Sequence, residues 1–436
     1  MVSAINYFPM ITVSSPDTHV LAAGIVESGP LVSFAWIMSG AVLAPFLSWI
    51  TGRKIPAVVL LIGYGIVIGP YWLGLASTEG GVGLLKQLGL GMLFLLAGYE
   101  INPQTLRSKE GRSAASTWIV CMILSFAGAF LLLNPDNAST AVVLAIAVTS
   151  TAVGTLMPIM KQQDTLHKPV GTSLLVHGAI GEVLPILAMA LLLSARATWV
   201  TAVVLLGFFI IAGVVALIPR TVQFFLPWMH KAMVDEAGST NQTVMRLVLW
   251  MLGILMAVAA VFELDVVLGA FAAGVILHQM VPEKYQTAME QRLDIVGYSL
   301  LIPVFFICSG MSIDPKAVLD NPWMLVILVP LIYVTRGLPV LLRELFGNTG
   351  SSLGSVREKI QLSLYTATAL PIIVAVTEVA VASDLLSDDN ASLLVAAGSA
   401  TVLLFPLLAH VIKPKEDETA VSQEHNQETA SPQHSK

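Results

Sequence analysis

Thirteen mostly apolar stretches, set apart by short polar turns, run from Leu31 to Val411. A stretch of about 20 such residues crosses a hydrocarbon core of about 30 Å only as a helix, because lipid offers no partner for a free backbone N–H or C=O. The chain therefore reads as an all-α polytopic membrane protein with about 13 transmembrane helices. The expected spans are 31–50, 55–75, 84–101, 114–133, 140–160, 171–194, 198–218, 244–263, 265–280, 295–312, 323–342, 358–383 and 391–411. The ninth is short and the twelfth long. A composition of 56% hydrophobic and 11% charged residues excludes an ordinary soluble domain.

Basic residues give an independent check on this order, since loops on the cytoplasmic side keep an excess of Lys and Arg. With thirteen spans and the N-terminus outside, 18 of the 22 basic residues fall on the cytoplasmic side. Lys86, Arg196 and Lys316 fall outside, and Arg336 alone is left within a span. The expected location is the plasma (inner) membrane, with the C-terminus cytoplasmic. Residues 1–30 carry no Lys or Arg, so they lack the basic start of a cleavable signal peptide and read as an exoplasmic segment. Residues 412–436 are polar and without apolar period, which predicts a disordered tail too short for a nucleotide-binding regulatory domain. Thr221–Thr243 mixes aromatics and charge and suits either an interfacial helix or a plain connection. Cys121 and Cys308 lie within spans and read as packing residues. The net charge of −6 implies no nucleic-acid partner.

Within this apolar frame Glu182 stands out, near the middle of the uncharged stretch Gly171–Ser194. A carboxylate at that depth costs roughly 2.5–3.5 kcal/mol to insert. Chains that keep one there use it to hold protons or cations, because either partner relieves the penalty on the ionised form.

An internal repeat also shows. Phe94–Pro103 (FLLAGYEINP) matches Phe306–Pro315 (FICSGMSIDP) at Gly98/Gly310, Ile101/Ile313, Asn102/Asp314 and Pro103/Pro315. Thr149–Ala152 (TSTA) and Thr366–Ala369 (TATA) fall at nearly the same offset, seven spans apart. An odd offset inverts one half relative to the other. The repeats are placed at about 31–194 and 244–411, joined by the span 198–218, within a transmembrane domain of 31–411. Inverted repeats place the substrate site near the bilayer midplane, where interrupted helices expose carbonyls and half-helix ends. Thr149, Ser150, Thr151, Thr366 and Thr368 would add hydroxyl oxygens there, and Pro371 favours a break in the second copy by removing a backbone donor. The competing reading has each hydroxyl bonded back to its own helix.

Four stretches carry a resemblance to the monovalent cation:proton antiporters, in the branch of Kef-type potassium-efflux proteins and bacterial sodium/proton exchangers. They are Ile55–Pro70, Leu93–Ile101, Leu268–Val275 and Pro303–Asp314. The resemblance implies a thirteen-span inverted-repeat fold, a dimerisation domain and a core domain with two crossed broken helices around the ion site. It implies Na+ or K+ and H+ as partners, a homodimer in the bilayer, no cofactor and no metal beyond the transported ion. Glu182 matches the family's ion-binding aspartate. The preceding position, usually Asp, Asn or Gln, is Gly181 here. Arg336 looks like the family's basic residue of the eleventh span and is expected as charge partner of Glu182. One titrating carboxylate beside a permanent cation suggests one cation for one proton.

Other charged positions carry less. His177, five residues before Glu182, faces elsewhere on its helix and reads as a packed core residue. Glu378, near the outer end of the twelfth span, is an accessory pathway candidate. Glu263 and Asp265 sit at a loop, and Glu100 and Asp314 close their spans. An enzyme is not expected, since no Ser/His/Asp grouping, metal-spaced His/Cys set or paired carboxylates occur along the spans. Two transport alternatives remain: a Kef-type potassium-efflux channel, and an ion-coupled organic-anion symporter that would use Arg336.

Overall fold

A computed structural model describes residues 29–52, 55–100, 107–133, 138–162, 165–192, 243–262, 266–281 and 283–412. The expected linker span 198–218, nearly all of Thr221–Thr243, Glu263, Asp265, residues 1–28 and the tail from 413 lie outside them.

The helices are α1 (Pro30–Ile50), α2 (Ala57–Ile68), α3 (Gly81–Glu100), α4 (Lys109–Gly128), α5 (Ala138–Val148), α6 (Val153–Gln162), α7 (Pro169–Leu192), α8 (Thr243–Val261) and α9 (Val266–Met280). They continue as α10 (Glu283–Val296), α11 (Ile302–Met311), α12 (Pro315–Asp320), α13 (Pro322–Ile332), α14 (Leu338–Phe346), α15 (Val356–Thr366), α16 (Pro371–Ala382) and α17 (Asp388–Val411). Among the described residues ten helical segments are long and apolar enough to cross a membrane, with α2 and α9 as two shorter apolar helices. Large apolar side chains such as Phe46, Trp49, Trp250 and Trp323 are exposed, as a lipid-facing surface requires.

Local chemistry sets the boundaries. Ser108, Ser355 and Ser387 cap α4, α15 and α17, and Ser355 forms a reciprocal capping box with Glu358. The second span was expected to reach residue 75, but α2 stops at Ile68 because Gly69 and Pro70 cannot extend it. The tenth span was expected from 295, whereas its helix starts at Glu283 with the polar α10. One π-turn, Ala129–Leu133, follows α4, and two more lie between helical segments at Gly297–Leu301 and Tyr333–Gly337. The last carries Arg336. Such turns recur at functional sites because the extra residue re-aims a side chain.

The helices sort into two bundles by their packing. One holds α1, α2, α3, α8, α9, α10 and α11; the other holds α4, α5, α7 and α13 to α17. The first bundle is built on two close crossings. A Cβ on Gly98 of α3 would collide with the Phe271 carbonyl of α9, and one on Gly274 would collide with the Leu95 carbonyl. The same happens between Gly310 of α11 and the Ile62 carbonyl, and between Gly65 of α2 and the Ile307 carbonyl. Small residues let membrane helices approach this closely. Gly98 and Gly310 are the matched glycines of the internal repeat, so the α3–α9 and α2–α11 crossings are copies of one another.

Candidate functional site

The site forms where two apolar helices fail to stay helical. Between α5 and α6 the helix is broken over Thr149–Ala152, and between α15 and α16 the break covers Ala367–Leu370, with Pro371 as the first residue of α16. Each break exposes backbone groups that lipid could not satisfy, and the two breaks satisfy each other. The Ala152 N–H donates to the Thr368 carbonyl at 2.8 Å, and the Thr151 hydroxyl donates to the Thr366 carbonyl at 2.6 Å.

The third strand of this knot is α7. Pro185 lies inside α7 and has no N–H, so the Gly181 carbonyl four residues earlier loses its usual helical partner. That carbonyl instead accepts the Thr151 N–H at 2.9 Å. One residue on, the Glu182 carboxylate accepts the Val153 N–H at 2.8 Å, the first amide of α6. An acidic group at a helix N-terminus meets both the free amides and the positive end of the dipole. Glu182 is 5% exposed, so this carboxylate is nearly enclosed at the crossing.

Arg336 reaches the crossing from its π-turn and is fully buried. Its Nη2 and Nε donate to the Thr151 Oγ1 at 2.9 and 3.2 Å, and Nη2 also reaches the His177 carbonyl at 3.2 Å. Nη1 lies 3.9 Å from the Cys121 Sγ. The expected direct pairing with Glu182 is not made: among the described residues no carboxylate lies within ion-pair distance of this guanidinium. The physical reason is Gly181. A Cβ there would stand 2.5 Å from the Arg336 Nη2 and 2.6 Å from the Thr151 Oγ1, so the guanidinium occupies the volume that a larger residue would fill. The guanidinium is held against Gly181 and Thr151.

Of the other hydroxyls, Thr149 and Ser150 donate to carbonyls of α5, and Thr366 and Thr368 to carbonyls of α15. All four are fully buried at the breaks. Thr151 is the one of the five that bonds from one broken helix to the other, while the Thr149 hydroxyl also lies 3.9 Å from the Met122 Sδ of α4. Glu378 lies away from the crossing, paired with Lys86 at 2.8 Å. His177 is fully buried, with its Nε2 3.5 Å from the Glu344 Oε1, and Glu344 also accepts the hydroxyls of Thr349 and Ser351. Asp314 caps α12 by accepting the Lys316 N–H.

Sequence reasoning missed Glu344, Pro185 and the steric role of Gly181. Pro185 carried a readable signal, since a proline in a helix always frees the carbonyl four residues back. Glu344 carried none, because His177 reaches it from another helix and Thr349 and Ser351 from the turn that follows its own.

Two interrupted helices crossed against a third that bears an enclosed carboxylate define a membrane ion transporter of the inverted-repeat antiporter fold. The model of the sodium/hydrogen exchanger transmembrane family matches residues 37–410, and the chain belongs to that family, one of transporters rather than enzymes. It is 24% identical over 307 residues to the Na(+)/H(+)-K(+) antiporter GerN of Bacillus cereus, covering 69% of this chain and 76% of GerN. It is 25% identical over 333 residues to YjbQ of Bacillus subtilis (strain 168), covering 71% of this chain and 52% of YjbQ, so it spans about half of that relative. In fold it is similar to the sodium proton antiporter MjNhaP1 from Methanocaldococcus jannaschii, with a TM-score of 0.62, 18% identity, and coverage of 87% of this chain and 96% of that one.

Proposed function

We propose that the chain exchanges a monovalent cation, Na+ or K+, for protons across the plasma membrane, with Glu182 as the group that holds each in turn. The observation that carries this reading is the placement of the Glu182 carboxylate, 5% exposed and hydrogen-bonded to the first amide of α6 where both broken helices cross. Family membership and the function named for GerN support it.

In this reading a proton and a cation compete for the same oxygens, and a bare carboxylate at that depth is strongly disfavoured. If the bundle containing Glu182 moves against the other only with the carboxylate occupied, exchange is obligatory. Arg336 keeps its charge throughout, since a guanidinium does not deprotonate in proteins. Thr151 fixes that charge beside the site. With a single exchanging acid the cycle moves one cation for one proton, so reconstituted vesicles carry no current during exchange. The four hydroxyls of Thr149, Ser150, Thr366 and Thr368 hold the broken ends, leaving oxygen lone pairs and carbonyls to line the cation's position. A homodimer with cytoplasmic C-termini completes the proposal.

The test is collapse of a preset ΔpH in everted vesicles on adding Na+, K+ or Li+. Wild type should respond to at least one ion, and Glu182→Gln should respond to none while remaining folded. Exchange that survives in Glu182→Gln would remove this residue from the mechanism.

A further inference from the structure

A second carboxylate sits where the two bundles meet on the other side of the crossing. Lys86 lies near the start of α3, Ser309 near the end of α11 and Glu378 in the second half of α16. The face they share is the one that the Lys and Arg distribution assigns to the outside. The Lys86 Nζ stands 2.8 Å from the Glu378 Oε1, and the same oxygen lies 3.5 Å from the Ser309 Oγ. Lys86 and Ser309 belong to one bundle and Glu378 to the other, so this contact bridges the surfaces that must separate for the crossing to open outward.

The chemistry of the cluster is that of a cation site. The 3%-exposed Ser309 hydroxyl donates to the Phe305 carbonyl at 2.8 Å, which leaves its oxygen free to accept a cation beside Glu378. The Glu378 Oε1 thus meets both the Ser309 hydroxyl and the Lys86 ammonium. An ammonium is a compact, strongly hydrated monovalent cation, close in kind to an alkali ion. Its tether is flexible, and its side chain is 17% exposed against 32% for Glu378, so it has room to leave.

We infer that Glu378 and Ser309 form an outer receiving site for the transported monovalent cation, and that Lys86 occupies this site as a tethered substitute when the outer side is closed. The cation on the outer path exchanges with the Lys86 ammonium, and that exchange releases the bridge between the bundles. This rests on the cation-exchange reading above for the identity of the ion. A polar contact that differs in kind marks the opposite side, where the Tyr298 hydroxyl of the first bundle donates to the Gly154 carbonyl at 3.2 Å without any charge.

The experiment has two arms. In right-side-out vesicles, a membrane-impermeant amine-reactive ester is applied with Na+ or K+ replacing choline at constant ionic strength, and labelling of Lys86 is quantified by mass spectrometry relative to Lys316, an exposed lysine on the same face. Lys86 labelling should rise with the alkali ion while Lys316 stays constant. The second arm measures the half-saturating cation concentration from each face. K86M should lower the outer value about two- to five-fold, the scale of one exposed ion pair, and leave the inner value unchanged. K86R should keep the wild-type values, and in an E378Q background K86M should have no further effect.

Lys86 labelling indifferent to the alkali ion, or a K86M shift equal on both faces or absent, overturns the inference. A wild type that labels as expected but exchanges with no alkali ion would instead overturn the exchange reading and leave the outer site standing.

Discussion

Replacing Thr151 with Val is the sharpest test of how the crossing is held. The substitution keeps the shape of the side chain and removes one oxygen. That oxygen accepts two N–H groups from Arg336 and its proton goes to the Thr366 carbonyl. Interhelical hydrogen bonds within membrane proteins average about 0.6 kcal/mol and reach about 1.7, which would set the loss of three at about 2–5 kcal/mol if each counted independently. The upper part of that range applies, because a buried guanidinium left short of acceptors carries a larger penalty than a neutral group. The His177 carbonyl remains as a partner for Nη2 and softens the loss. We expect Thr151→Val to destabilise by about 3 kcal/mol. Thr151→Ser, which retains the oxygen, should stay within about 1 kcal/mol of wild type on the same scale. Thermal unfolding in detergent measures the first quantity, and the ΔpH assay reads the accompanying loss of exchange. Equal stability and activity of the Val and Ser variants would refute the view that Thr151 links the fixed charge to the broken helix.

Two further substitutions separate sterics from hydrogen bonding at the same place. Gly181→Ala inserts a Cβ 2.5 Å from the Arg336 Nη2 and 2.6 Å from the Thr151 Oγ1; overpacking of this kind costs about 1–3 kcal/mol, and we expect lowered melting temperature and exchange together, with wild-type values for both counting against the assigned packing. Pro185→Ala should do the opposite to stability, since it returns an N–H to α7 and relieves a penalty of up to about 3 kcal/mol for proline in a helix interior. The new amide competes with Thr151 for the Gly181 carbonyl, so exchange should slow in a protein that melts no earlier than wild type. Unchanged exchange in that variant would show that the freed carbonyl has no part in positioning the break.

The membrane class, the approximate spans and the candidate acid were readable from the chain because each depends on local composition. About 20 apolar residues demand a helix wherever they fall, and one carboxylate among them is conspicuous without knowledge of its neighbours. The repeated glycines were legible too, as Gly98 and Gly310, but what they touch was not. The misjudged ends have local causes: Gly69 and Pro70 stopped α2 early, and the polar α10 continued a span backwards past its apolar start. Hydropathy alone does not distinguish a helix that ends from one that leaves the membrane.

The site shows the division most clearly. Glu182, Arg336 and the TSTA and TATA segments could each be named from sequence, yet the expected pairing of Arg336 with Glu182 gave way to Thr151 and the His177 carbonyl. That outcome depends on the space above Gly181 and on the carbonyl freed by Pro185, both set by how three helices cross. Partnerships such as His177 with Glu344 and Lys86 with Glu378 join residues 167 and 292 positions apart. The sequence by itself determined what must be buried in lipid and which polar groups would be costly there. Only the tertiary structure decided how those groups are satisfied, because hydrogen bonds and ion pairs depend on distances of a few ångströms between helices whose order along the chain does not fix their approach.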